Sequence, residues 1–304
     1  MKIIDFHSHL GDILNLEGGK LIDKKNVKKT ILLDMISVAE SQDHDMFGLE
    51  NASYKAFGSM VVKAERARNA TATLENCKAS MNEAGIIQTV CLPIPPYLNF
   101  EDLINAQQKF SGIIPFTGVD FTLDEDLDKK FEKDIEQGAQ GLKIHSNIQK
   151  VALTDERVKK AVAAFEKYKK PVLFHCGVSS YYLGKEKEKE NPEFGRLEYA
   201  RELVQEFPNV PFVAGHSGMY QVKDTMRLLK GFPNVWVDTS FQPVKRIKQL
   251  IDVFGENRIL FGSDWPYGSR MTALRIMRKV CADNQSLAEK IFYLNAERLL
   301  NGEW

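Results

Sequence analysis

Eight short apolar segments, each bounded by Gly, Pro or polar turn residues, constrain this chain more than any other feature. They are Ile3–His9, Ile86–Pro93, Ile113–Asp120, Gly141–His145, Val172–Gly177, Pro211–Gly218, Val235–Ser240 and Ile259–Pro266. All are short and apolar, and several are rich in β-branched residues, so they read as buried strands. Helical periodicity fills most of the intervals. Thr154 stands as an N-cap ahead of Val158, Ala161, Val162 and Phe165. Leu197, Ala200, Leu203, Val204 and Phe207 repeat the pattern, as do Met226 with Leu229, and Ile247, Leu250, Ile251 and Phe254. Strands alternating with helices imply a parallel sheet, and eight repeats imply an α/β fold of the closed (β/α)8 TIM-barrel type. An open doubly wound sheet is the competing architecture, but no GxGxxG turn follows any strand.

At about 150 residues per domain, 304 residues would suggest two domains. Single barrels of about 250 residues are common, however, and one domain over 1–304 is the reading adopted. The first two strands lie unusually far apart. A helix near Ala72–Ala84 completes the first βα unit, leaving residues from about Leu10 to Asn69 as an insertion at the C-terminal end of strand one. That is the barrel face on which active sites form. The segments Ile13–Glu17 and Lys20–Asp23 flank Gly18-Gly19, a hairpin signal. A lid, a substrate wall, a homodimer contact and a surface decoration all fit the insertion. A second long loop, about Val178–Phe194, carries KEKEKE at 185–190, which reads as solvated surface.

Lys plus Arg and Asp plus Glu each number 41, so the formal net charge is zero. A nucleic-acid binder would carry a basic excess. No apolar run approaches the roughly 18 residues of a membrane span. The N-terminus MKIIDFHSHL places an Asp and two His where a signal peptide would be apolar, so a cytoplasmic location is expected. Cys77, Cys91, Cys176 and Cys281 form no CxxC pair and read as reduced structural thiols. The expected partner is a small-molecule substrate.

His7 and His9 are two apart on strand one, so both side chains point to one face, the arrangement of a zinc-type chelate. His175 ends strand five, His216 strand six and Asp264 strand eight, while Lys143 and His145 end strand four. A barrel converges those ends on one mouth. Burying so many ionisable groups together is costly unless a metal compensates. His44, in the insertion, has no such context and reads as a surface residue.

DFHSH on strand one, FHCG around His175, GHSG around His216 and FGSDWPYG around Asp264 resemble the amidohydrolase superfamily. More narrowly, they resemble its amidohydrolase-related (family 2) branch, which includes aminocarboxymuconate-semialdehyde decarboxylase. The two FPNV segments and the terminal NAERLL are similar to the same branch; the insertion is not matched. The resemblance implies that His7, His9, His175 and Asp264 bind one divalent ion, zinc being expected. Asp264 would move the proton of a metal-activated water, and His216, unligated, would orient that water or steady an oxyanion. Lys143 and His145 would contact substrate. In two-metal members a carboxylated strand-four Lys bridges two ions, so a carboxylated Lys143 would bring a second ion, held by His175 and His216. The resemblance favours one. Hydrolysis of a small amide, ester or lactone ranks first, because GLKIHS looks closer to strand four of the superfamily's hydrolases. The alternative is non-oxidative decarboxylation of an unsaturated or aromatic acid. A purely structural metal ranks last, because structural zinc sites are closed by four protein ligands and His216 would be left over.

Overall fold

The computed structural model describes residues 1–14, 17–41 and 50–304; His44 lies outside them. Strand β1 (Ile4–Ser8) is followed by α1 (Met35–Ser41), α2 (Glu50–Asn69), α3 (Leu74–Ala84), β2 (Gln88–Cys91), α4 (Phe100–Lys109), β3 (Ile113–Pro115) and β4 (Thr117–Gly118). Next come α5 (Leu127–Glu136), β5 (Leu142–Ile144), α6 (Ser146–Gln149), α7 (Glu156–Glu166), β6 (Val172–Phe174), α8 (Leu197–Glu206) and β7 (Phe212–Ala214). The chain finishes with α9 (Val222–Leu229), β8 (Val235–Asp238), α10 (Val244–Phe254), β9 (Ile259–Leu260), α11 (Arg270–Val280), α12 (Gln285–Glu289) and α13 (Asn295–Leu300).

Every pairing between these strands is parallel, in the orders β1-β2-β3 and β4-β5-β6-β7-β8-β9. Strands β3 and β4 are halves of one barrel strand parted at Phe116, whose N–H still reaches the Cys91 carbonyl at 3.1 Å. The segment after β9 runs beside β1: Phe6 N–H donates to Phe261 O at 2.8 Å, Asp264 N–H to His7 O at 2.8 Å and His9 N–H to Trp265 O at 2.6 Å. All eight segments read as strands carry one, and α3 is the helix expected near Ala72–Ala84.

Three local expectations are corrected. Helix α7 is capped by Asp155, not Thr154; the carboxylate accepts the Arg157 N–H and adds a negative charge at the helix N-terminus. Gly18-Gly19 opens a 3-10 turn over Gly19–Leu21 in place of a hairpin. A Cβ on Gly18 would lie 2.0 Å from the Tyr97 carbonyl oxygen, so the glycine serves close packing and a positive φ. The KEKEKE run is not solvated throughout. Its last residue, Glu190, is buried and accepts the Tyr181 N–H at 2.7 Å.

Alternation along the strands builds the barrel in layers. Outward residues such as Leu142, Ile144, Val172, Phe174, Val235 and Val237 join the core beneath the helices. Inward residues Phe6, Phe116, Leu173, Val213, Trp236 and Leu260 form a separate apolar plug with Leu299 and Leu300 of α13. One inward step further along the strands, this apolar layer gives way to ionisable groups and glycines. Leu173 is followed by His175, Val213 by Gly215, Trp236 by Asp238 and Leu260 by Gly262. The glycines make room: a Cβ on Gly215 would meet His7 Cε1 at 3.2 Å, and one on Gly262 would meet Asp238 Oδ1 at 2.9 Å.

Candidate metal centre

Simple alternation puts Asp5, His7 and His9 on one face, but β1 contains a bulge. Asp5 pairs with Thr89 while Ser8 pairs with Cys91, three steps against two. Asp5 therefore lies outside the barrel, where Arg270 Nε donates to its Oδ2 at 2.9 Å. Phe6 fills the apolar plug, and His7 and His9 both enter the mouth.

The tautomers of these two imidazoles follow from their second nitrogens. His9 Nδ1 lies 3.0 Å from the Leu92 carbonyl, which can only accept, so Nδ1 carries the proton and Nε2 the lone pair. His7 Nδ1 lies 2.8 Å from Asp238 Oδ2, and that carboxyl also accepts the His216 N–H (2.8 Å), the Ser240 N–H (2.9 Å) and the Ser240 hydroxyl. His7 Nε2 then presents its lone pair 3.4 Å from Asp264 Oδ1, and His9 Nε2 lies 3.5 Å from the same oxygen. His7 Nε2 and Asp264 Oδ1 have no hydrogen-bond partner. One ligand atom each from His7, His9 and Asp264 falls within a 4.8 Å span. Buried lone pairs facing one another without donors suit a cation.

His216 reaches the same carboxylate on its other oxygen, with Nε2 3.8 Å from Asp264 Oδ2 and Nδ1 unpartnered. Both residues sit in left-handed backbone, His216 at φ 42° and Asp264 at φ 55°, a conformation uncommon outside Gly, which Asn, Asp and His enter most readily and which concentrates at functional sites. The Asp264 carbonyl accepts the Gly268 N–H at 2.9 Å, so its turn is fixed at both ends.

His175 is not in the group of three. Its Nε2 lies 3.0 Å from the Gly177 carbonyl and 3.0 Å from Ser179 Oγ, which puts the proton on Nε2; Nδ1 is 3.5 Å from the Tyr181 hydroxyl. The ring neighbours His216 at 4.7 Å and stacks on His145 at 4.2 Å. His145 also caps α6, its Nδ1 accepting the Ile148 N–H. Lys143 Nζ is buried and has no partner.

The electrostatics follow from burial. Desolvation holds the imidazoles of His7, His9, His145 and His216 far below their ordinary value, and neighbouring Lys143 and imidazoles add to it. Burial and Lys143 bring His175 to about 3, against its bond to the Gly177 carbonyl. Neutral imidazoles are the form that binds metals. Burial lowers the Lys143 amine to about 8, against the attraction of Asp264 and Asp238. The Asp264 carboxyl is pushed well up by burial, with Lys143 opposing.

Sequence reasoning missed Asp238, although VWVDTS ends strand seven as the recognised residues end theirs. It also missed Tyr267, Tyr181 and Glu65. Helix α2 of the insertion packs over the mouth through Arg68, which donates to Asp34 (2.9 Å), Glu40 (2.9 Å), Ser37 (2.8 Å) and the Tyr267 carbonyl (2.7 Å). Asn69 bonds Asp12 and the Tyr267 hydroxyl. Met35, Ile36, Val61 and Ala64 add an apolar contact with Phe241.

The model of the amidohydrolase family matches residues 4–302. The chain belongs to that family. No curated protein matches it closely enough to count. Among solved structures, an uncharacterised TIM-barrel protein from Bordetella bronchiseptica is similar at 16% identity and a TM-score of 0.68, covering 100% of this chain and 99% of that one. A 5-carboxyvanillate decarboxylase from Novosphingobium aromaticivorans, complexed with manganese and a nitrobenzoic acid, is similar at 17% identity and 0.66, covering 99% and 96%. A probable 2-pyrone-4,6-dicarboxylic acid hydrolase from Acinetobacter baumannii is similar at 14% and 0.60, covering 99% and 100%. These likenesses establish the shared barrel. Among the described residues, no helix is long and apolar enough to cross a membrane.

Proposed function

We propose that this amidohydrolase-family enzyme is a metal-dependent decarboxylase of an aromatic or unsaturated carboxylic acid. The observation that carries the reading is Lys143: a buried amine with no protein partner beside the candidate metal centre. An uncommitted cation in that place suits a substrate carboxylate. The sequence ranks hydrolysis first on the form of strand four, but the amine that strand presents fits the alternative better, and a similar barrel is a manganese-bound decarboxylase. Tyr267 lies edge-on to His9 at 5.8 Å and Tyr181 edge-on to His145 at 5.3 Å, walls that suit a flat ring.

In this reading His7, His9 and Asp264 would hold one divalent ion, and His175, whose lone pair is on Nδ1, would complete the set. The ion's positive charge would orient the substrate's oxygens and steady the anion as it forms. The Lys143 ammonium pairs with the substrate carboxylate. Asp264 divides its oxygens: Oδ1 faces His7 and His9, and Oδ2, facing His216, carries a proton to the carbon that bears the carboxylate. That carbon–carbon bond then breaks, carbon dioxide leaves and the bonding pair returns to the ring. His216 returns a solvent proton to Asp264. His145, stacked on His175, completes the substrate wall.

Hydrolysis of a lactone, ester or amide is the second reading. His216 favours it, with Nε2 3.8 Å from Asp264 Oδ2 and Nδ1 unpartnered, since that pair would orient a water as readily as it relays a proton. The test uses protein loaded with manganese and, separately, with zinc. Carbon dioxide release from aromatic and unsaturated acids, matched one to one by decarboxylated product, is expected. Acid production from lactones, esters or amides, with no carbon dioxide from any acid, would reverse the ranking.

A further inference from the structure

Helix α2 delivers one acidic group to the mouth that neither the metal centre nor the fold uses. Glu65 is 4% exposed, and its Oε2 has no hydrogen-bond partner. Its neighbours on the helix are committed to structure: Arg68 and Asn69 dock α2, and Ala64 packs in the apolar contact with Met35, Ile36 and Val61. Glu65 stands one helical turn before Arg68 and Asn69, on the face of α2 whose side chains bond the Tyr267 carbonyl and hydroxyl, so it lies on the side of the helix turned to the strand-eight turn. Glu190, from the loop after β6, is also buried with an unpartnered oxygen, Oε1.

Two buried carboxyls, one on the inserted helix and one on the loop after β6, thus each keep an acceptor unfilled. A buried acceptor without a donor destabilises the fold. Burial raises the Glu65 carboxyl, and repulsion from Asp264 and Glu190 raises it further, against Arg68. A residue serving stability alone would be apolar here or fully bonded.

We infer that Glu65 is a specificity residue: from the inserted helix it reads a hydrogen-bond-donating substituent, hydroxyl or amino, on the acid whose carboxylate Lys143 holds. This rests on the decarboxylase reading and adds to it the substituent the substrate must carry and the residue that reads it. Lys143 and the metal centre bind what all such acids share; Glu65 distinguishes among them.

The test measures calorimetric affinity of manganese-loaded protein for benzoate, the three monohydroxybenzoates and the three aminobenzoates, in wild type and in Glu65→Leu. In wild type at least one substituted isomer should bind roughly ten- to a hundredfold more tightly than benzoate, the worth of one buried hydrogen bond. Which series it comes from tells hydroxyl from amino. In Glu65→Leu that advantage should vanish while benzoate affinity holds. The variant's Tm should equal or exceed that of wild type, because an unpaired buried carboxyl has been removed. Should Glu65→Leu not fold, the unbranched Glu65→Met is read instead. An unchanged preference in the variant overturns this inference alone, as does a lowered Tm with the preference kept, which would make Glu65 a structural residue. Wild-type protein that binds none of the acids overturns the decarboxylase reading and this inference together.

Discussion

Asp238 faces His7 Nδ1, not the space between His7, His9 and Asp264, yet it decides which nitrogen of His7 faces that space. It also holds the His216 backbone, so one carboxylate sets a proposed ligand and a proposed proton relay. Burial raises its carboxyl, while the proximity of His216 and the donors from Ser240 and the His216 N–H pull it back. Asp238→Asn keeps the shape but can place an amide N–H against His7 Nδ1, turning the His7 lone pair away from the centre. Metal affinity should fall by roughly 10–100-fold, the usual cost of losing such a partner, with the circular-dichroism spectrum unchanged. Titration with manganese and with zinc checks this, and undiminished affinity would show that the tautomer is set elsewhere. At this scale much of the candidate centre was legible, because His7, His9, Lys143, His145, His175, His216 and Asp264 all sit in or just after the C-terminal ends of strands. The bulge that separates Asp5 from His7 and His9 was not, since it depends on pairing with β2. Nor was the room left by Gly215 and Gly262, which exists only against side chains from other strands.

The barrel elements announce themselves through periodicity, and the insertion does not. On α2 the buried positions include Val61, Val62 and Ala64, but also Glu65, Arg68 and Asn69. A hydrophobic pattern assigns the last three to solvent, so the face that covers the mouth reads as the face that avoids it. What docks α2 is polar: Arg68 meets Asp34 and Glu40, and Glu40 in turn accepts the Ser269 N–H at 2.6 Å. Arg68→Ala would leave the buried Glu40 carboxylate without its counter-charge, while Asp34 keeps Lys29 at 2.6 Å, a loss of about 3–5 kcal/mol. Because α1 and α2 are held to the strand-eight turn through this residue, the damage should concentrate there. Limited proteolysis should cut the variant within the insertion well before the barrel, at a protease level that leaves wild type intact. Cleavage at the same rate in both proteins would show that the apolar contact with Phe241 suffices to hold the helices.

Across the whole molecule, the apolar plug and the ionisable layer above it pull stability in opposite directions. Phe6, Phe116, Trp236 and Leu260 close the lower barrel with ordinary hydrophobic burial. Directly above, Lys143, Asp238, Asp264 and the imidazoles are desolvated, and His7 Nε2, His216 Nδ1, Lys143 Nζ and Asp264 Oδ1 lack partners. Such a layer is a net cost until something neutralises it. A ligand that binds only the folded state stabilises by RT ln(1 + [L]/Kd), about 2.7 kcal/mol at a hundredfold excess over Kd. For a chain of this size that is a rise in Tm of about 4 °C. Adding manganese or zinc to chelator-treated protein should therefore raise Tm progressively with concentration. The double variant His7→Ala/His9→Ala separates this from general salt effects: two of the three converging ligands are gone, so its Tm should not respond to the ion. Its metal-free Tm should fall less than two core truncations would imply, because each change removes a buried polar group along with volume. A metal-dependent rise in Tm that persists in the double variant would place the ion elsewhere, and the mouth of the barrel would then owe its ionisable layer to substrate alone.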